Sequence, residues 1–237
     1  MTGRWSSAHI ASVVDLTDLG DDCTTDDVAA LCATAISRRV AAVCVHTQFV
    51  SGAAERLSGT GIAVATVLNF PHGDAPPASL VAGATSALAA GATEIDVVIP
   101  WRDLVAGKTS TTVAVVAAVA TFTRRAGALT KAILETGALE EHDLVEKAAR
   151  LAMDAGADFL KTSTGKIERG ASLESARTLL GVARSATRDV GVKVSGGIRT
   201  RAQAESYLDL AAEVRGIEAC DKNLFRIGAS SLLADLD

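Results

Sequence analysis

Residues 130–161 read TKAILETGALEEHDLVEKAARLAMDAGADFLK. The stretch opens on a short β-branched apolar segment over 130–134. It runs through an Ala/Leu-rich stretch over 139–155 with charges at helical spacing, and closes on a second apolar segment, Phe159–Lys161. Strand, helix and strand in that order form a crossover unit, which leaves its two strands parallel. Outward in both directions, further strand candidates lie at 10–16, 42–45, 62–68, 94–99, 192–194 and 224–227, making eight. Their starts are separated by roughly 20–40 residues, the room a βαβ crossover needs. Helix-like stretches such as 173–190 fill the intervals, opened or closed by Ser, Thr, Asp or Gly. The alternation predicts an α/β fold, a single (β/α)8 TIM barrel over one domain spanning 1–237. An open doubly wound sheet is the competing arrangement, but it normally carries a Gly-rich dinucleotide turn, and no Gly-x-Gly-x-x-Gly occurs. Pro76-Pro77 reads as a loop before a helix, and nothing reads as an interdomain linker.

Composition agrees with this and removes several function classes. Hydrophobic residues make up 49% of the chain and aromatics only 3%, which suits closely packed helices over buried strands. A formal net charge of −5 argues against a general nucleic-acid binder, which needs a dense basic surface. Any anionic ligand must then be held by a local arrangement. Cys23, Cys32, Cys44 and Cys220 are too scattered for a disulfide framework, which points to a reducing, cytoplasmic setting. Residues 1–10 show no export signal, and the most apolar window, 113–120, is too short to cross a bilayer, so no membrane partner is expected.

In such barrels the working residues sit at the C-terminal ends of strands. Read in order, those ends carry Asp15 and Thr17, His46 and Thr47, Asn69, Asp96, Glu135 and Thr136, Lys161 to Ser163, Lys193 with Ser195, and Gly228-Ala-Ser-Ser231. Lys161 and Lys193 end two apolar strands, where a buried cation is costly unless paired or neutral. Side by side and partly buried, the two would lower each other's affinity for a proton, leaving one amine neutral near pH 7. A neutral amine can attack a carbonyl and form an iminium, which accepts electrons when a carbon–carbon bond breaks. Asp96 and Asp15 offer carboxylates for moving protons. A purely structural salt-bridge cluster of the same residues is the alternative.

Two glycine-bearing loops add a second signal. Ser195-Gly-Gly-Ile-Arg199 and Ile227-Gly-Ala-Ser-Ser231 follow the last two strands, where barrels commonly bind phosphate through backbone N–H groups. Thr162-Ser-Thr-Gly-Lys166 brings hydroxyls and a cation to the same side, but is not a Walker A loop. His9, His46, His72 and His142 show no ligand spacing, so neither a metal nor a cofactor is expected. His46 and His72 read as loop or core residues, Cys44 as a small buried hydrophobe, and Trp101 as a residue that either covers the site or packs.

Together these residues resemble the deoxyribose-phosphate aldolase family along nearly the whole chain. The likeness rests on Asp15-Leu-Thr17, Asn69-Phe-Pro-His-Gly73, Glu94-Ile-Asp-Val-Val98 and Lys131-Ala-Ile-Leu-Glu-Thr136. It continues in Ala157-Asp-Phe-Leu-Lys-Thr-Ser-Thr-Gly-Lys166, Gly191-Val-Lys-Val-Ser-Gly-Gly-Ile-Arg-Thr200 and Arg226-Ile-Gly-Ala-Ser-Ser231. The resemblance implies a class I, Schiff-base lyase of carbohydrate degradation and deoxyribonucleotide catabolism, cleaving 2-deoxy-D-ribose 5-phosphate to glyceraldehyde 3-phosphate and acetaldehyde. By the same resemblance Lys161 forms the Schiff base, Lys193 lowers its pKa and moves protons, and Asp96 is the acid/base partner. Substrate-side residues are Asp15, Thr17, Thr162, Gly165, Lys166, Gly196, Gly197, Arg199, Gly228, Ser230 and Ser231, with Asp15 and Thr17 supporting the lysine cluster. A homo-oligomer, dimer or tetramer, is implied too. Two departures stand out: Cys44-Val-His-Thr-Gln-Phe-Val50 replaces the family's usual Asn-Pro or Tyr-Pro pair, and Tyr207 is the only tyrosine where some members end in one that assists proton transfer. A transaldolase-like enzyme, a phosphosugar isomerase and a non-catalytic sugar-phosphate-binding barrel remain the alternatives.

Overall fold

Eight strands run in sequence order around a closed barrel: β1 (Val14–Asp18), β2 (Ala42–Val45), β3 (Ala63–Leu68), β4 (Glu94–Val98), β5 (Leu129–Ile133), β6 (Phe159–Lys161), β7 (Gly191–Ser195) and β8 (Phe225–Ala229). Every neighbouring pair is parallel, and β8 returns to β1 through Val14 opposite Ile227 and Asp15 opposite Gly228. The computed structural model describes residues 4–139 and 141–236; residues 1–3 of the N-terminal window, Glu140 within the 139–155 stretch, and Asp237 lie outside it. Nine α-helices occur among the described residues: α1 (Ser7–Ser12), α2 (Thr25–Arg38), α3 (Val50–Leu57), α4 (Pro77–Ala89), α5 (Trp101–Val105), α6 (Thr109–Arg125), α7 (His142–Asp154), α8 (Leu173–Arg184) and α9 (Arg201–Arg215). None is long and apolar enough to cross a membrane.

Strand periodicity of two sorts the side chains into two layers. Val14, Leu16, Val43, Val45, Ile95, Val97, Leu160, Val192, Val194, Phe225 and Ile227 belong to the large apolar cluster shared with the helices. The alternate positions face the barrel interior, and their chemistry is divided. On the β2 and β3 side they are small and apolar: Ala42, Cys44, Ala65 and Val67, with Leu19 beside them. On the remaining strands they include Glu94, Asp96, Lys131, Lys161, Lys193, Arg226 and Asp15, all buried, beside apolar Val98, Ile133 and Phe159. Three of the described helices begin with a reciprocal capping box, the first of them α2, through Thr24 and Asp27. Ser172 and Thr200 each cap a helix with a reciprocal side-chain box, through Ser175 and Gln203 respectively.

Two sequence expectations are corrected. Residues 10–12 fall in α1 rather than in a strand, and β1 begins at Val14. Ile10, Val13 and Val14 are all fully buried, and a short buried apolar run reads the same in either conformation; the Ser6 side chain, accepting from the His9 amide, decides for the helix. The stretch 173–190 is helical only to Arg184, after which the chain turns back toward β7. The other strands differ from expectation by at most two residues at an end.

Candidate active site

Asp96, on β4, sits at the centre of the buried charges. Its Oδ2 accepts from Lys161 Nζ at 2.8 Å and from Lys193 Nζ at 2.8 Å, while its Oδ1 accepts from Lys131 Nζ at 2.8 Å. Lys161 and Lys193 are Cα partners on β6 and β7, and their shared oxygen makes the two amines close neighbours. Lys193 has a second anchor, Asp15 Oδ2 at 2.7 Å. Lys131 also meets Glu94 Oε2 at 2.5 Å and Asp15 Oδ2 at 3.4 Å. Arg226 completes the network through Asp15 Oδ1 at 2.5 Å and Glu94 Oε1 at 2.9 Å, with its guanidinium 5.6 Å from the Phe159 ring centroid.

The charges in this network are Asp15, Glu94 and Asp96 against Lys131, Lys161, Lys193 and Arg226. Three carboxylates balance three cations, and a fourth is in excess. Lys161 is the one held by a single carboxylate oxygen that it shares. Burial pushes its amine below the ordinary lysine range; Asp96 opposes this and the Lys193 charge adds to it. Burial also works against the charge on Lys193, but Asp15 and Asp96 outweigh it and hold Lys193 above the ordinary range. Lys131 is held up in the same way by Asp96, Glu94 and Asp15. Burial disfavours the Asp96 carboxylate too, yet Lys131, Lys161 and Lys193 keep it well below the usual range, and so ionised. Of the two causes expected from the sequence, burial depresses Lys161 more than its cationic neighbour does, while Lys193 is not lowered in return.

Above the network opens a cleft of about 500 Å³ in which Lys161 and Lys193 meet Thr17, Gly165, Lys166, Gly196, Gly197, Arg199, Gly228 and Ser230. Gly196 and Gly197 have φ of +92° and +87°, which glycine adopts without penalty. A Cβ on Gly196 would meet Gly170 Cα at 2.9 Å, whereas one on Gly197 would meet nothing within 4 Å, leaving that backbone bare. Lys166 reaches across the mouth to Asp21 at 3.7 Å, a pair too exposed to be strong.

Three of the expected substrate-side residues lie elsewhere. Asp15 is fully buried beneath the cleft as the anchor of Lys193 and Arg226. Thr162 is turned sideways to tie β6 to β7, accepting from the Ser195 amide at 3.0 Å and donating to the Ser195 carbonyl at 3.2 Å. Ser231 is exposed and outside the cleft lining. Asp18, Leu19, Gly20, Leu31 and Thr164 line the cleft without having been singled out as substrate-side residues. Lys131, Glu94 and Arg226 were also missed as members of the network, although each is a charge at an inward position of an apolar strand, the signal that flagged Lys161 and Lys193.

His46 packs edge-on against Phe70 at 6.2 Å, and Trp101 lies under the Arg102 guanidinium at 4.0 Å; neither lines the cleft. Tyr207 is buried on α9, also outside it. Among the described residues no group of three His, Cys, Asp or Glu is placed to hold a metal ion.

Residues 9–237 match the family described as DeoC/LacD family aldolase. The chain belongs to that aldolase family. As a DeoC/LacD aldolase it is a carbon–carbon lyase, and solved structures resemble it over nearly its full length. A candidate deoxyribose-phosphate aldolase from Coccidioides immitis is 31% identical with a TM-score of 0.86, over 97% of this chain and 86% of that one. Another candidate from Toxoplasma gondii ME49, in its apo form, is 28% identical with a TM-score of 0.88, over 97% and 94%. A tetrameric deoxyribose phosphate aldolase from Aeropyrum pernix is 28% identical with a TM-score of 0.82, over 98% and 91%.

Proposed function

We propose that this aldolase reversibly cleaves 2-deoxy-D-ribose 5-phosphate to D-glyceraldehyde 3-phosphate and acetaldehyde through a Schiff base on Lys161. The observation that carries the reading is the inequality of the lysines. Lys161 alone among the three buried amines is pushed toward neutrality, and it stands in the same cleft as the glycine loops and Lys166. The neutral amine attacks the substrate aldehyde, and loss of water leaves an iminium. Removal of the C3 hydroxyl proton then breaks the C2–C3 bond, with the electron pair taken up by the iminium nitrogen. Asp96, kept ionised, accepts protons through a water, and Lys193, kept cationic, donates. Gly196, Gly197 and Gly228 bring backbone to the phosphate, with Lys166 and Arg199 adding charge. In the same reading the protein works in the cytoplasm, where its four unpaired cysteines stay reduced, as a homo-oligomer.

Incubation with deoxyribose 5-phosphate and borohydride should label Lys161, as located by mass spectrometry; label on Lys193 would reverse the assignment. Lys166→Ala is expected to raise KM for the phosphorylated sugar about 10–100-fold, the effect of one charge-assisted contact, and KM for free deoxyribose far less. Steady-state kinetics on both sugars checks this, and equal effects would place the phosphate elsewhere.

Lys193→Ala removes a cation that lowers the Lys161 pKa and leaves Asp96 to Lys161, so that pKa rises. Because the amine must be neutral to attack, the acidic limb of the kcat/KM profile should move to higher pH, and Lys193→Arg should move it less. An acidic limb left unmoved by Lys193→Ala contradicts the assignment.

A further inference from the structure

Glu135 is a buried carboxylate that the reaction as drawn does not use. It is 1% exposed, lies just beyond β5, and has a φ of +55°, a left-handed conformation that a glutamate seldom adopts. Such an outlier persists only where its surroundings hold it. On either side of it the Leu134 amide donates to the Lys161 carbonyl at 2.9 Å and the Thr136 amide to the Thr162 carbonyl at 2.8 Å. The twist at Glu135 thus locks the end of β5 to the chain at Lys161.

Its carboxylate continues along the same loop. Oε1 accepts from the Thr164 amide at 3.2 Å and Oε2 from the Thr164 hydroxyl at 2.5 Å, and that hydroxyl accepts from the Lys166 amide at 3.0 Å. Thr164, Gly165 and Lys166 line the cleft together with Lys161. One side chain therefore fixes a turn that begins at the amine proposed to attack the carbonyl and ends at the cation proposed to face the phosphate. Burial raises the Glu135 pKa, opposed by the two Thr164 bonds and by the Lys161 charge, so the carboxylate depends on these partners.

We infer that Glu135, resting on the reading proposed above, is a positioning residue that sets the distance between Lys161 and the phosphate loop, and so makes the enzyme selective for a sugar of that length carrying a terminal phosphate. Glu135→Gln keeps the shape but offers one acceptor oxygen to two donors, so the turn loosens. The ratio of kcat/KM for deoxyribose 5-phosphate to that for free deoxyribose should fall at least about tenfold, the order expected from losing one charge-assisted hydrogen bond. Most of the fall should come from KM for the phosphorylated sugar, and borohydride should still label Lys161 at saturation.

Thr164→Val, which keeps the carboxylate but cuts its link to Lys166, should lower the same ratio, and Thr164→Ser should restore most of it. Inorganic phosphate, titrated calorimetrically, should bind Glu135→Gln more weakly than wild type, and circular dichroism reports whether each variant is folded. An unchanged substrate ratio in folded Glu135→Gln and Thr164→Val, with wild type active, overturns this role and leaves the aldolase reading intact. If wild type itself neither cleaves nor traps the phosphorylated sugar, the aldolase reading fails, and the inference with it.

Discussion

Lys161→Met is expected to lower kcat/KM by on the order of 10⁴ or more and to abolish borohydride trapping, because in the proposed mechanism the iminium nitrogen is the lysine's own and no water can replace it. Stability should move the other way. Between the lowered pKa of folded Lys161 and the ordinary 10.5 of a lysine, the unfolded chain binds a proton that the folded chain does not. The residue's unfavourable share of stability is therefore full below that window and vanishes as pH rises through it. Methionine has no proton to lose, so the variant should melt at the same temperature as wild type or higher at neutral pH, with its advantage shrinking toward pH 10.5. Thermal melting followed across that range checks the sign. A variant clearly less stable than wild type would mean that Lys161 is a structural cation, as in the salt-bridge alternative.

The same substitution at Lys131 should do the reverse to stability. Lys131 is fully buried and touches Asp96, Glu94 and Asp15, and its pKa is raised. A raised lysine contributes stability that is complete below 10.5, so at neutral pH all of it is present. Lys131→Met takes from Asp96, Glu94 and Asp15 a buried cation that all three share, and should cost about 3–5 kcal/mol in urea unfolding. Asp96 would then bear more strongly on Lys161, raising its pKa and moving the acidic limb of kcat/KM to higher pH. A loss below about 1 kcal/mol would show that water enters and screens the network, contrary to its burial. Two methionines, on neighbouring strands of one barrel, thus separate the lysine proposed for chemistry from a lysine that holds the network together.

Much of this was legible in the chain. Short apolar runs at crossover spacing predicted eight strands in order, and six of them agree with the structure to within a residue at each end. The lysines at 161 and 193 announced themselves because a cation on an apolar strand needs a reason. Lys131 carried the same mark between Thr130 and Ala132 but read as part of a motif rather than as a buried charge. The 10–16 run failed because burial, not periodicity, governs its residues, and a capping serine outside the run chose the helix.

By itself, then, the sequence determined the barrel, the strand ends that face its mouth, and the pairing of two lysines on adjacent strands. These follow from periodicity and spacing, which are local properties. Only the tertiary structure decided which lysine is pushed below the ordinary range and which two are held above it. Asp96 meets Lys131, Lys161 and Lys193 across 35, 65 and 97 residues of chain, and Asp15 meets Arg226 across 211. A buried group's charge is set by the sum of its desolvation and its neighbours, and closure of the barrel brings those neighbours together from the chain's whole length.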